Sequence, residues 1–345
     1  MPRAPFEIAG KTILAGTSQT VHLPVSILPD HTPVTLSVQV HHGKRAGPTM
    51  FVSAAVHGDE VIGVEIVRRL LRAPQLSALR GTLLVVPIVN AFGFLNRSRY
   101  LPDRRDLNRC FPGHRSGSLG ARLAHIFLHD VVLRCDTGID LHSAAIHRTN
   151  LPQIRISPGD PATRAMAIAF GTPVVLQSSL RAGSLRAEAA ERGTSVLLYE
   201  AGEGLRFDEL AVRAGVAGIL RVMRSLGMLP VKGIAKARVA PYMCKSSSWV
   251  RAPAGGLLRT FRAEGETVEK GETLACVSDP FGEVETDIIS PSSGILIGRA
   301  ILPVVNEGDA VFHLAQLSPE AAEDTVEGLA LQLETDPLFD EDEII

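Results

Sequence analysis

The sequence predicts an α/β fold, a largely parallel sheet flanked by helices, followed by a small all-β unit. Three observations predict it. Between residue 49 and about 228, short runs rich in Val, Ile and Leu alternate with stretches whose apolar residues recur every three to four positions. The chain has 345 residues, 45% hydrophobic and 21% charged, which suits about two soluble domains. Beyond residue 250 a strand–turn–strand pattern occurs twice.

In chain order, segments 11-15, 20-27 and 33-41 read as strands separated by Gly and Pro, giving a β extension over residues 1-48. The α/β unit spans 49-228. Its strands fall at 50-56, 82-89, 137-141, 173-178 and 195-199, and its amphipathic helices at 60-72, 119-134, 161-170 and 208-227. Strands alternating with helices imply a sheet of mostly parallel strands, whose ligand site lies at their carboxyl ends. Residues 229-250 read as a linker. The unit at 251-316 carries the repeat: Pro253-Ala254-Gly255-Gly256-Leu257-Leu258 returns as Pro291-Ser292-Ser293-Gly294-Ile295-Leu296, and Val268-x-x-Gly271-Glu272 as Val305-x-x-Gly308-Asp309. This resembles the barrel-sandwich of biotinyl/lipoyl-type domains. The carrier lysine is missing from the intervening stretch Ser278–Glu283, so a structural or gating unit is expected. Residues 317-345 form an acidic tail.

Charge is unevenly placed. Residues 300-345 hold 12 Asp/Glu and no Lys or Arg, leaving the rest with 35 basic against 25 acidic side chains. A mildly basic body suits a small anionic substrate, and no stripe of Lys/Arg interleaved with aromatics supports nucleic-acid binding. No apolar run approaches the roughly 20 residues of a membrane span, and the first residues lack a signal-peptide core, so a cytoplasmic protein is expected. Cys110, Cys135, Cys244 and Cys276 form no C-x-x-C pair, which excludes a thiolate zinc site or disulfide framework. Homo-oligomerisation stays open.

The chemistry gathers at strand ends. In Ala55-Val56-His57-Gly58-Asp59-Glu60 a strand runs into a tight turn, and His57 and Glu60, three apart in the first turn of the next helix, face one point. Asp140-Leu141-His142-Ser143 ends another strand and offers a third ligand, with Asp140 placed to orient His142. Two His and one carboxylate leave a fourth tetrahedral position for water, as in a catalytic zinc site. The stretch Asp103-Arg104-Arg105-Asp106-Leu107-Asn108-Arg109-Cys110 is dense in guanidinium and amide groups suited to a carboxylate. Glu200 ends the strand Ser195–Tyr199, beside Ala201-Gly202, as a candidate base for a metal-bound water. Cys110 follows a cationic residue and is a rival nucleophile, but no His partnership surrounds it. His114 and His147 lie near enough to these motifs to touch a substrate.

These motifs, from His57-x-x-Glu60 through Asp106-Leu107-Asn108-Arg109 and Asp140-Leu141-His142 to Glu200-Ala201-Gly202, resemble the succinylglutamate desuccinylase/aspartoacylase family, a branch of the zinc carboxypeptidase-like fold. The resemblance spans about residues 45 to 315. It implies a zinc-dependent amidohydrolase that cleaves small anionic N-acyl amino acids, with one Zn2+ per chain held by His57, Glu60 and His142. It assigns Glu200 as general acid/base and Asn108 and Arg109 as holders of the substrate's α-carboxylate. An arginine polarises the scissile carbonyl in this family; by spacing Arg99 is the first choice and Arg105 the second. The stretch His147–Gln153 departs from aspartoacylase and is similar to the bacterial branch containing N-acetyl-diaminobutyrate deacetylases, which adds Arg148 as a substrate-binding candidate. The rival readings are a zinc carboxypeptidase acting on short peptides and a ligand-binding member without turnover.

Overall fold

The structure, a computed structural model, describes residues 3–238 and 240–316. The acidic tail lies outside the described residues. Before the α/β core come β1 (Phe6–Ile8), β2 (Lys11–Ile13), β3 (Thr17–Ile27) and β4 (Pro33–His42). The core contains β5 (Arg45–Ala54), α1 (Ile62–Leu70), β6 (Arg80–Val86), α2 (Ala91–Asn96), α3 (Leu119–Asp130), β7 (Thr137–His142), β8 (Arg148–Ile156), α4 (Pro161–Phe170), β9 (Val174–Gln177), α5 (Leu185–Glu191), β10 (Ser195–Gly202) and α6 (Glu209–Ser225). Short strands follow: β11 (Tyr242–Cys244), β12 (Ser247–Arg251), β13 (Gly256–Thr260), β14 (Thr267–Val268), β15 (Thr273–Ser278), β16 (Glu285–Ile289), β17 (Gly294–Ala300), β18 (Val304–Val305) and β19 (Ala310–Gln316).

One mixed sheet runs through the molecule in the order β12-β19-β17-β8-β10-β7-β5-β6-β4-β3. Its centre, β10-β7-β5-β6, is parallel. Successive residues of β5 serve opposite faces, as a strand's two-residue period demands. Met50, Val52 and Ala54 pack with Ile62, Ile66 and α6 residues, while Phe51 packs with Phe127 of α3 and Leu185 of α5. Side-chain caps start most of the helices: Ser118 for α3, Asp160 for α4, Ser184 for α5 and Asp208 for α6. No side chain caps α1, whose preceding residues are committed to the site described below.

Three departures from the sequence reading concern non-local pairing. Residues 17–42 do not stand apart as an extension: β3 and β4 form a long hairpin, and β4 joins β6 antiparallel, extending the central sheet. The stretch 229–250 is not all connector, because β11 adds parallel to β9 and β12 pairs with β19. Residues 148–156, dense in polar groups, form β8, which pairs with β10 along one edge and with β17 and β9 along the other. Through β17 the C-terminal strands continue the main sheet, and a second sheet, β16-β15-β13-β18, packs on them over Val250, Leu258, Leu274, Leu296 and Phe312.

Candidate metal centre and its cleft

The strand that precedes α1 ends abruptly. Ala55 adopts a left-handed backbone, φ 52°, a conformation alanine rarely takes. The amides of Val89 and Asn90 donate to the carbonyls of Ala54 and Ala55 and fix the turn. Gly58 follows because nothing larger fits: a Cβ there would lie 1.9 Å from the carbonyl carbon of Gly93. The amide of Glu60 closes back on the His57 carbonyl at 3.2 Å, and α1 begins only at Ile62. His57 and Glu60 therefore occupy this tight turn, not the first helical turn expected from their spacing.

Parallel pairing supplies the rest. β5 and β7 are neighbours with Ala54 opposite Leu141, so His142 emerges beside the turn. β10 lies on the other side of β7 with Glu200 in register with His142. In-register residues of adjacent strands project to the same face. The two Nδ1 atoms of His57 and His142 each lie 2.7 Å from one oxygen of Glu60, and their ring centroids are 5.1 Å apart. One ligand atom from each of the three residues falls within 4.8 Å of the other two. The opposite ring nitrogens also meet carboxylates. His57 Nε2 is 3.1 Å from Asp106 Oδ1, and His142 Nε2 is 2.8 Å from Asp140 Oδ2, whose other oxygen accepts from Ser53 Oγ at 2.7 Å.

Electrostatics follow from this crowding. Burial favours the neutral acid at Glu60, but the two imidazoles override it and lower its pKa. Burial likewise opposes charge on His142, yet Asp140 and Glu60 raise its pKa well above the ordinary value; at His57, too, burial opposes charge, but Glu60 and Asp106 raise its pKa. An anionic carboxylate between two imidazoles, each backed by another carboxylate, is the donor set of a divalent-metal site: the carboxylates fix the ring orientations and raise ligand basicity. His57, Glu60 and His142 thus fit a single ion.

The cluster opens into a cavity of about 390 Å³ that Glu200, Asn108, Arg109, Arg148 and Arg99 also line. That volume matches a small ligand. Arg99 donates to Glu60 at 3.2 Å and to Asp106 at 3.1 Å. Arg105, the second candidate for polarising a carbonyl, is not brought to the cleft: its guanidinium donates to Ser118 Oγ and faces Asp103 on the surface. Asn108 is buried, its Oδ1 accepting the Leu185 amide at 2.9 Å. Glu200 Oε2 accepts from Arg155 at 2.6 Å and Asn150 at 3.1 Å. Cys110 lies outside the cavity lining, and burial raises its pKa, the opposite of an activated thiol. His114 and His147 do not line the cavity either.

Sequence reasoning missed several neighbours of the site. Asp106 belonged to a recognised motif, but its partnership with His57 needed the fold. Arg155 and Arg186 line the cavity from β8 and α5, and Trp249 reaches it from β12. Arg186 spends one nitrogen on Ser178 while the other, Nη1, is buried without a hydrogen-bond partner; burial and then Arg155 push its pKa down to about 10. No local pattern marks these residues, although Trp249 is the chain's single tryptophan.

The α/β sheet thus carries a His–Glu–His cluster that fits a metal ion at the carboxyl ends of its parallel strands, open to an arginine-lined cleft. Residues 46–226 match the succinylglutamate desuccinylase/aspartoacylase catalytic domain. The chain belongs to the succinylglutamate desuccinylase/aspartoacylase family. It is 27% identical over 285 residues to an N-alpha-acetyl-L-2,4-diaminobutyric acid deacetylase of Halomonas elongata, a match covering 79% of this chain and 83% of that one. A succinylglutamate desuccinylase of Burkholderia cenocepacia is 33% identical over 135 residues, 35% of this chain and 38% of that one. The crystal structure of a succinylglutamate desuccinylase/aspartoacylase from Rhodobacter sphaeroides superposes with a TM-score of 0.76 at 28% identity, covering 87% of this chain and 95% of that one. Among the described residues no helix is long and apolar enough to cross a membrane.

Proposed function

We propose that the protein is a zinc-dependent amidohydrolase that removes the acyl group from a small, anionic N-acyl amino acid. The observation that carries this reading is the convergence of His57, Glu60 and His142 on one point of a cleft that also holds Glu200 and several arginines. A divalent ion bound there supplies a Lewis acid and lowers the pKa of a coordinated water toward neutrality. Glu200 takes the proton of the attacking water through Oε1, the oxygen without a hydrogen bond among the described residues, and returns it to the leaving amine. Arg155 and Asn150 hold the other oxygen and orient the carboxylate. Arg99, next to Glu60, polarises the scissile carbonyl. Arg109 and the amide nitrogen of Asn108 hold the α-carboxylate; the Leu185 amide occupies only the oxygen of Asn108. The C-terminal β unit is read as a biotinyl/lipoyl-like barrel-sandwich without a carrier lysine, and the protein as cytoplasmic.

The test is a panel of N-acetyl, N-succinyl and N-aspartyl amino acids offered to zinc-loaded protein, with amine release as readout. Turnover of at least one member, lost in Glu200→Gln while zinc is retained, supports the reading. Cleavage of dipeptides in preference to every N-acyl amino acid, or no turnover with one equivalent of zinc bound, overturns it.

A further inference from the structure

A second cavity, of about 690 Å³, shares no lining residue with the cleft. It lies between α4, the end of α6 and the chain from Val231 to Arg238, with Ala240 at its edge. Its lining joins two features. Arg221, Arg224, Lys236 and Arg238 contribute four cations, and no Asp or Glu lines it among the described residues. Beside them lie four alanines with Ile168 and Val231, the isoleucine 38% and the valine 68% exposed. Arg221 is buried and donates to the Phe170 carbonyl at 3.3 Å, which ties the cationic side of the groove to the end of α4. Exposed apolar surface rimmed by charge marks an interaction site.

A complementary segment belongs to the same chain. Residues 317–345 carry ten Asp/Glu and no Lys, Arg or His. Within them Leu329, Leu331, Leu333, Leu338 and Phe339 alternate with Glu334, Asp336 and the acidic run Asp340–Glu343. Apolar side chains flanked by anions match an apolar groove flanked by cations in both respects.

The point of attachment is also suitable. Gln316, the last described residue, donates its amide to the Ser246 carbonyl at 3.4 Å, and Ser246 Oγ donates to Gln316 Oε1 at 3.1 Å. Ser246 follows Ala240 by six residues, through β11, so the acidic segment starts within roughly 25 Å of the groove. The twelve residues from Leu317 to Gly328 span up to roughly 40 Å when extended. Tethering at that distance supplies an effective concentration on the order of a millimolar, so individually weak surface ion pairs suffice.

We propose that the acidic C-terminal segment folds back on its own chain and docks residues 329–343 in this groove, clasping α4 and α6 to the connection that leads into β11. The clasp is independent of the reaction assigned to the cleft.

Zero-length carbodiimide coupling of the native, full-length protein reads the contact directly, because it joins an ammonium to a carboxylate that touches it. The chain has six lysines, of which Lys236 alone lines the groove among the described residues. Peptide mapping is expected to find Lys236 joined to a carboxylate of residues 334–343 in monomeric protein. The yield should not depend on protein concentration, and it should fall about tenfold in concentrated salt. Arg224→Glu combined with Arg238→Glu lowers the yield about tenfold, whereas Arg251→Glu, on exposed β12 surface, leaves it unchanged. Asp340→Lys and Glu341→Lys added to the doubly substituted protein return coupling, now to the acids introduced at 224 and 238. Deleting residues 317–345 is expected to speed amide exchange across 231–238 about tenfold. Absence of Lys236 coupling overturns the proposal, as does coupling of Lys11, Lys44 and Lys270 to the same residues with equal yield. Coupling confined to covalent dimers also overturns it, assigning the groove to a second copy of the chain.

Discussion

On the floor of the cleft, His57, Glu60 and His142 are at most 3% exposed, and each ring nitrogen and each Glu60 oxygen already has a partner. On the outer wall, Arg148 is half-buried with unspent donors, and it rests on a ring supplied by the C-terminal strands. The floor is a closed network in which removing one member strands the others in a low-dielectric site. The wall is an open one, able to exchange partners with a ligand. On the proposed reading, fixed chemistry belongs to the floor and contact with the rest of the substrate to the wall.

Substitutions separate the two. The largest effect is expected from Glu200→Gln, which should lose about a hundredfold to ten-thousandfold in kcat while retaining fold and metal; full activity would remove Glu200 from the chemistry. Gly58→Ala tests the turn under the floor: the new methyl meets the Gly93 backbone, so a loss of about 1–3 kcal/mol in stability is expected by denaturant unfolding, together with weaker metal binding. Arg99→Ala should cost about tenfold to a hundredfold in kcat, whereas Arg105→Ala, at the surface, should stay within about twofold; steady-state kinetics of the pair decides between them.

The smallest effect concerns the wall's support. His313, buried against the ring of Trp249, titrates near 3 in the fold and near 6.5 when unfolded. Between those values the unfolded chain binds a proton that the folded chain does not, so stability falls as pH drops through that window. His313→Phe, which keeps a ring against Trp249, should flatten this dependence between pH 6.5 and 4 in thermal melts. An unchanged slope would show that the imidazole is not buried as described.

The floor was legible in the sequence, and of the wall Arg148 was named but not the ring it rests on. His57, Glu60 and His142 stand in short motifs at the ends of apolar strands, and the alternation of strands with helices implied a largely parallel sheet, as the pairing of β5 with β7 is. What failed depended on distant pairing. The composition of β8, with Arg148, Thr149, Asn150, Pro152 and Gln153, hides a strand, because its burial comes from β10 and β17 on its two edges. Trp249 has no local signal, since its meaning lies in the approach of β12 to the cavity. Spacing alone left Arg99 and Arg105 both open; the fold brings Arg99 to Glu60 and leaves Arg105 at the surface.

The proposed function requires that three side chains from two adjacent strand ends hold one divalent ion. Metal content after dialysis against zinc, measured on the native protein, Glu200→Gln and His142→Ala, tests it directly. About one equivalent is expected in the first two and near none in the third. A native protein that binds no zinc, or a His142→Ala variant that keeps its full equivalent, would contradict it.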